Sequence, residues 1–179
     1  DNHDFNRFMT QIGNNYSRAK LAAALLMAFP GTPYVYYGTE IGMINGTQSG
    51  DNAKRTPMQW DSSGGFSQGN YWTGTADRTD PRNVTAQNKD SESLLNTYKK
   101  MILLRKSDSA WSRGGIKIVQ NNIGAVLSFV RTGTNGSYLF IGNFSGNACT
   151  VNLNMDSSGI PSGNYVLSNA VFAAQANTN

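Results

Sequence analysis

Cysteine, histidine, charge and long apolar runs are all scarce in this chain of 179 residues, and the scarcities exclude several classes of protein. The one cysteine, Cys149, excludes a disulfide framework and a thiolate zinc cluster. There is one histidine and no glycine-rich nucleotide-binding pattern, so we expect no cofactor in this chain. Because no apolar run is long enough to span a bilayer, we expect no membrane partner.

Charge is low as well, with 15 Lys and Arg against 11 Asp and Glu and a net charge of +4. The basic residues are scattered along the chain, so the pattern does not favour a nucleic-acid partner. A hydrophobic share of 39% excludes a disordered polymer. The abundance of Asn, Gly, Ser and Thr favours a secreted or periplasmic location, although no signal peptide begins the sequence.

The first part of the chain predicts one helix and one buried strand. Leucines recur at helical spacing over 17–29, where Ser17 can cap the helix and Pro30-Gly31 ends it. The next segment, 32–38, is β-branched and aromatic on both faces, which is typical of a strand buried in a parallel sheet.

Two polar segments, 1–10 and 39–90, show no regular period and are predicted loops. Loops as long as the second tend to be functional. Helical periodicity returns over 91–105, with Ser91 at its start. Because a lone parallel strand needs neighbours on both edges and helices on both faces, residues 1–108 are predicted to belong to a larger α/β structure.

Beyond about residue 108 the period changes from helical to alternating. Turn residues separate the apolar runs, a pattern that predicts a small antiparallel sandwich over 109–179. The predicted strands are 116–118, 125–130, 138–141, 151–155 and 165–167.

The first cluster of chemically capable residues lies near the start of the chain. Asp1, His3, Asp4 and Arg7 precede the first helix and by position follow a strand. A carboxylate beside an imidazole and a guanidinium can bind vicinal hydroxyls and stabilise a developing cation. A polar loop that is merely capped by a salt bridge would look the same.

The second cluster lies in the long polar segment and combines charge with aromatic rings. Arg55 and nearby acids could bind hydroxyls, and Trp60 offers a flat apolar face that matches a sugar ring. Tyr37, near the end of the predicted strand, could reach the same site. The other members of this cluster are Asp51, Gln59, Asp61, Tyr71 and Trp72.

Packing is the simpler interpretation for several other residues. Met58 is predicted to fill a local core, and Tyr34 and Tyr36 to pack against neighbours. Cys149 has no His or acid partner nearby in sequence, so we expect a small buried apolar side chain.

Taken in order, these segments resemble the C-terminal portion of the α-amylase family of glycoside hydrolases (glycoside hydrolase family 13). The segment 1–4 with Arg7 is similar to the family motif after barrel strand seven, and 20–43 resembles helix seven, strand eight and the turn beyond. The segment 55–61 is similar to one in α-glucosidases, oligosaccharide-cleaving glucosidases, trehalose synthases and some amylases. The remaining segments resemble helix eight and the sandwich called domain C.

The resemblance implies an α/β plus all-β chain: the C-terminal part of a (β/α)₈ TIM barrel over 1–108 and a β-sandwich, possibly truncated, over 109–179. In such barrels the site lies at the C-terminal ends of the strands. By resemblance Asp4 is the family carboxylate that stabilises the oxocarbenium-like transition state, and His3 binds the same sugar. The implied substrate-binding residues are Arg7, which also fixes the loop, and Tyr37, Arg55 and Trp60.

The family is retaining, which requires a nucleophile and a separate acid/base roughly 5–5.5 Å apart. In the family both follow strands four and five, upstream of the segment that resembles Asp1 to Asp4, and a calcium-associated domain also lies upstream. We therefore expect an α-glucan or maltooligosaccharide substrate for the full-length enzyme and no hydrolysis by this chain alone. For the apolar surface of its barrel piece we expect self-association, a complementing chain or local disorder.

Two other functions remain open from the sequence. A transglycosylase or isomerase such as a trehalose synthase would share this chemistry, because water or a sugar can intercept the same glycosyl-enzyme. A non-catalytic carbohydrate-binding or structural module would make the sandwich the functional part. Its aromatics fit core positions as well as a sugar platform: Phe129, Tyr138, Phe140 and Phe144.

Overall fold

The computed structural model of the chain describes residues 1–64, 69–76 and 81–165. It divides into two compact units. The first unit comprises Asp1–Leu26 and Pro33–Lys99, and the second comprises Met27–Thr32 and Lys100–Asn179. Among the described residues, no helix combines the length and the apolar character that crossing a membrane would need.

Up to residue 107, the regular structure of the described residues consists of four helices and two short 3₁₀ turns. The helices are α1 (Phe8–Gln11), α2 (Tyr16–Ala28), α3 (Val84–Lys89) and α4 (Leu94–Ser107). The 3₁₀ turns are Thr39–Ile41 and Gly50–Lys54. The two long helices are the two that the sequence predicts, and α3 lies inside the segment predicted to be a loop.

Both long helices begin at a different residue from the one predicted. Asn15 rather than Ser17 caps α2, because its side-chain oxygen accepts a hydrogen bond from the backbone N–H of Arg18 at 3.0 Å. At α4 the Oγ of Ser93, not that of Ser91, accepts from the backbone N–H of Asn96 at 3.2 Å. An N-cap side chain accepts from a backbone N–H two or three residues further along, and Asn15 and Ser93 each lie three residues before their donor.

The predicted buried strand over 32–38 is wrong. Within the described residues this segment pairs with no strand, and it is not buried on both faces, since Tyr34 is 86% exposed. A strand gains its hydrogen bonds only from a neighbour, and the described part of the first unit contains no other strand. The packing predicted for Tyr34 is therefore wrong as well.

One core cluster of the first unit lies at the end of the Thr39–Ile41 turn. Ile41 and Met43 are buried with Leu95 of α4, and Met58 packs against them, as predicted for a local core. Gln87 of α3 is almost fully buried and donates to the carbonyls of Ile41 at 2.7 Å and Pro81 at 2.8 Å. These bonds tie the long polar segment to the helices.

After α5 (Ser109–Ser112), the described part of the second unit forms five strands. They are β1 (Gly115–Ile118), β2 (Gln120–Asn121), β3 (Val126–Thr132), β4 (Ser137–Asn143) and β5 (Leu153–Asn154). β1, β3 and β4 form an antiparallel sheet with β3 at its centre, and β2 pairs with β5. The small antiparallel sheets confirm the antiparallel part of the prediction for this region, while the β-sandwich stays a prediction.

The central strand β3 carries the core of this sheet. Phe129 and Val130 are fully buried, and the Phe129 ring stacks on Phe140 of β4 with centroids 4.7 Å apart. Of the predicted strands, 151–155 shortens to β5. Tyr165 lies outside any strand, and the rest of 165–167 lies outside the described residues.

One expectation of burial in this unit is wrong, because Cys149 is exposed. Phe144, for which a core position and a sugar platform were both open, is 51% exposed. Both follow the end of β4, where the ladder partners stop and side chains no longer alternate between two covered faces.

Two arginines of the second unit satisfy the last carbonyls of α2. Arg131, fully buried on β3, donates to the carbonyl of Ala28 and to those of Gly114 at 2.9 Å and Gly115 at 3.1 Å. Arg105 donates to the carbonyl of Phe29 at 3.1 Å and to that of Met27. Cations are favourable at a helix C-terminus, but burial and the nearby Arg105 lower the pKa of Arg131.

Replacing Arg131 by Met should destabilise the protein by about 2–4 kcal/mol, because three carbonyls lose a charged hydrogen-bond donor. Urea denaturation followed by circular dichroism measures the change. The matched control is Arg113→Met, at an exposed position, where we expect a change below about 0.5 kcal/mol. Equal stability of the two variants would contradict this account.

Candidate functional site

The loop that carries the first cluster is held at both of its ends. The side-chain oxygen of Asn2 accepts from the backbone N–H of Asp4 at 2.8 Å and of Phe5 at 3.0 Å. The carboxylate of Asp1 accepts from the backbone N–H of Phe8 and from Thr39 Oγ1, each at 2.9 Å. Asp1 thus closes the loop and leaves the side chain of Asp4 in solvent, 57% exposed.

The two clusters that are far apart in sequence meet at Asp4. One Asp4 carboxylate oxygen lies 3.3 Å from His3 Nε2, and the other accepts from Arg55 Nη2 at 3.1 Å. The same Nη2 donates to Asp51 Oδ2 at 2.9 Å, while Lys54 Nζ donates to the backbone carbonyl of Asp4 at 2.9 Å. We call Asp4, Asp51, Lys54 and Arg55 the ion-pair cluster.

Beneath the 55–57 segment lies a buried guanidinium. Arg7 is fully buried, and its Cζ sits 4.9 Å from the ring centroid of Tyr36 and 4.7 Å from that of Tyr37. Its Nη1 donates to the Tyr37 carbonyl at 2.7 Å, and its Nη2 lies 3.5 Å from the Thr56 carbonyl. Burial lowers the pKa of Arg7, an effect that the two rings partly oppose.

The two tyrosines connect this guanidinium to the ion-pair cluster. Tyr36 donates its hydroxyl to the carbonyl of Lys54 at 3.2 Å, and Tyr37 donates to the carbonyl of Thr56 at 2.7 Å. Burial and the neighbouring Tyr37 raise the pKa of Tyr36 to about 12, so the Tyr36 hydroxyl remains a donor at neutral pH. These two hydrogen bonds therefore hold the backbone on both sides of Arg55.

Position 38 has room for no side chain other than that of glycine, because Met43 and Arg7 lie next to it. Its φ is +83°, and an added Cβ would lie 2.3 Å from Met43 Sδ and 3.2 Å from Arg7 Nη1. Any side chain here would be strained in the backbone and would push against the guanidinium.

Glu40 is the carboxylate that shares the interior with Arg7. It is half-buried, and its Oε2 has no hydrogen-bond partner among the described residues. Burial raises the pKa of Glu40 more than backbone hydrogen bonds and Arg7 lower it. The carboxylate in turn adds to the effect of burial on Tyr98, whose pKa rises to about 12.

The remaining predicted residues of the second cluster make local contacts. Trp60 is 46% exposed, and its carbonyl accepts from the backbone N–H of Thr85 at 2.9 Å. Asp61 accepts from Ser63 Oγ at 2.6 Å, which lowers the pKa of Asp61. Gln59 is buried and its amide atoms have no described hydrogen-bond partner.

Tyr71 is partly buried and Trp72 is 75% exposed. Tyr36 is partly buried and its ring lies against the Arg7 guanidinium, which agrees with the packing that the sequence predicts for it.

Lys54, Tyr36 and Thr39 belong to the arrangement around Asp4, although the sequence reasoning did not select them as site residues. One signal could have identified Lys54: it follows Asp51 by three positions, and Arg55 follows Asp51 by four, the spacings at which charged side chains meet on a helical turn. Thr39 and Tyr36 carry no such signal, because their contacts are long-range.

No metal site accompanies these residues. In the described ranges, no three His, Cys, Asp or Glu side chains are grouped so that they could hold a metal ion. The site is an exposed carboxylate with cationic and imidazole neighbours.

Comparison with known proteins identifies the class and the family. The family model described as the alpha-amylase catalytic domain matches residues 1–114. The chain therefore belongs to the α-amylase family of glycoside hydrolases, which confirms the resemblance found in the sequence.

Individual relatives agree with this. The chain is 32% identical to the alpha-amylase SusG of Bacteroides thetaiotaomicron over 82% of its own length and 22% of that protein. It is 29% identical to an oligo-1,6-glucosidase of Bacillus cereus over 88% of this chain and 36% of that one. Among solved structures, the isomaltulose synthase of Klebsiella sp. LX3 matches with a TM-score of 0.71 at 25% identity, covering 80% of this chain and 34% of the other. The chain thus spans about a fifth to a third of the length of these proteins.

The raised pKa of Glu40 predicts that the stability of the protein depends on pH. Below about pH 4 the carboxyl is protonated in the folded and the unfolded state, so its burial costs no charge desolvation. As pH rises through the folded pKa, the buried carboxylate ionises and the free energy of unfolding falls. Glu40→Gln should therefore gain stability relative to the parent as pH rises from about 4 to about 7. Chemical denaturation at several pH values measures the difference, with exposed Glu92→Gln as the control. A difference that stays flat or falls with pH would argue against it.

Proposed function

We propose that this chain forms part of the active site of a retaining glycosidase that cleaves α-glucosidic bonds in starch-like glucans or maltooligosaccharides. The observation that carries the proposal is Asp4: an exposed carboxylate flanked by His3 and Arg55, in a chain of the α-amylase family. Relatives named as an amylase and as an oligo-1,6-glucosidase support the substrate class.

In this proposal Asp4 supplies the negative charge that stabilises the oxocarbenium-like transition state. His3 lies beside it and can donate to the same sugar, and Arg55 holds the opposite carboxylate oxygen. The charge develops on the sugar only as the glycosidic bond breaks, so a fixed carboxylate lowers the barrier more than it tightens ground-state binding.

The other proposed binding residues differ in their exposure to solvent. Tyr37 is 38% exposed and Trp60 is 46% exposed, and both offer ring faces to further sugar units. Arg7 is fully buried and contacts no solvent, so we assign it a positioning role for the loop rather than direct sugar binding.

We assign the nucleophile and the acid/base to a part of the enzyme outside these 179 residues. The nearby carboxylates are already engaged: Asp1 accepts from Thr39 and the backbone, and Asp51 accepts from Lys54 and Arg55. Glu40 is half-buried against Arg7. A calcium ion, if the enzyme uses one, would likewise be bound elsewhere.

An isomerase or transglycosylase is the second candidate. The similarity to an isomaltulose synthase favours it, because such an enzyme uses the same glycosyl-enzyme and differs in what intercepts it. Product analysis by chromatography separates the two: hydrolysis yields free glucose or shorter maltooligosaccharides, and transfer yields a rearranged or longer saccharide.

Asp4→Asn, made in the full-length enzyme, should lower kcat on maltooligosaccharides by about 10³-fold or more, with a much smaller change in KM. The amide keeps the shape of the side chain and removes the charge. The control is Asp61→Asn, a carboxylate bound to Ser63 within its own turn, for which kcat should stay within about threefold. Comparable kcat values for Asp4→Asn and the parent would refute the role of Asp4.

The 179-residue chain alone should show no turnover of starch or maltooligosaccharides above a buffer blank. Reducing-sugar release over a day, at enzyme concentrations far above those needed for a full-length amylase, provides the test. Turnover that disappears in Asp4→Ala would place all the reacting carboxylates in this chain and overturn the assignment above.

A further inference from the structure

Asp51 holds two cations with two different oxygens. Its Oδ2 accepts from Arg55 Nη2 at 2.9 Å, and its Oδ1 lies 3.3 Å from Lys54 Nζ. The three residues belong to one turn, since Asp51 and Lys54 lie in the 3₁₀ helix Gly50–Lys54 and Arg55 follows it. A single carboxylate therefore sets the direction of both cationic side chains.

Each of the two cations then reaches the loop of Asp4. Arg55 Nη2 donates to Asp4 Oδ1 at 3.1 Å, and Arg55 Nε donates to the His3 carbonyl at 3.2 Å. Lys54 Nζ donates to the Asp4 carbonyl at 2.9 Å. The side chain and the backbone of Asp4 are thus both held by groups that Asp51 orients.

Asp51 is a carboxylate like Asp4, so direct contact between them would be repulsive. Its influence on Asp4 must pass through Arg55 and Lys54. From this arrangement we propose that Asp51 is a positioning residue: by engaging Arg55 and Lys54 it fixes the orientation of Asp4 and keeps Arg55 from closing fully on the carboxylate that the sugar needs. The inference rests on the proposed function of Asp4.

The backbone of the turn does not depend on Asp51. Tyr36 and Tyr37 hold the carbonyls of Lys54 and Thr56 from the opposite side, against the buried Arg7. Removing the charge of Asp51 should therefore free two side chains without unfolding the segment. Exposed ion pairs contribute little to stability, which points in the same direction.

Without Asp51, Arg55 Nη2 has one carboxylate left, that of Asp4. The guanidinium would then pair more fully with Asp4 and compete with the sugar hydroxyls for its oxygens. The expected consequence is a loss of catalytic rate that exceeds any loss of stability.

The first test uses the 179-residue chain and side-chain NMR. We would record the Nε–H signal of Arg55 and the backbone amides of His3 and Asp4 in the parent, Asp51→Asn and Asp51→Glu. Asp51→Asn should change the hydrogen-exchange rate of Arg55 Nε–H at least threefold and shift both amides. Asp51→Glu, which keeps the charge, should recover most of the parental signals. The control is exposed Asp156→Asn, which should leave these signals unchanged.

The second test uses the full-length enzyme. Asp51→Asn should lower kcat about tenfold with a melting temperature within two degrees of the parent, and Asp51→Glu should recover at least half of kcat. Unchanged Arg55 and Asp4 signals, or unchanged kcat beside altered signals, would each overturn the positioning role. Failure of the proposed function is distinguishable, because Asp4→Asn would then also leave kcat unchanged.

Discussion

The arrangement around Asp4 depends on one buried cation, Arg7. Its guanidinium has no solvent contact and lies against the rings of Tyr36 and Tyr37, while its N–H groups reach the carbonyls of Tyr37 and Thr56. A buried charge is tolerable only when it is surrounded by acceptors and polarisable faces, so these neighbours cannot move independently. Gly38 belongs to the same constraint, because any side chain there would occupy space next to the guanidinium.

From this cation the order extends outward to the exposed charges. The tyrosine hydroxyls hold the backbone at Lys54 and Thr56, and the pinned segment presents Lys54 and Arg55 to Asp4. The supporting part of the site, around Arg7, is thus buried and hydrogen-bonded, and Asp4, which is proposed to contact the sugar, is exposed. Such a division suits a carboxylate that must keep one orientation while its solvent is replaced by substrate.

The second unit uses guanidinium groups in a different way. Arg105 and Arg131 donate to carbonyls at the end of α2, where no further helical N–H groups are available. Both are stabilised by carbonyl dipoles. Phe129 shows the complementary, apolar part of the core, stacked on Phe140 and meeting Phe29 edge-on with centroids 5.8 Å apart.

By itself the sequence determined the family, the two long helices, the β-rich C-terminal region and the residue types around Asp4, because these follow from local periodicity and from motifs contiguous in the chain. Tertiary structure decided the rest. It alone brought Arg55 to Asp4 across 51 positions, buried Arg7 and selected Asn15 over Ser17 as a cap. Within the described residues, it also left the 32–38 segment without a strand partner, contrary to its strand-like composition. The physical reason is that hydrogen-bond partners, burial and charge pairing are set by neighbours in space, which a pattern along the chain does not encode.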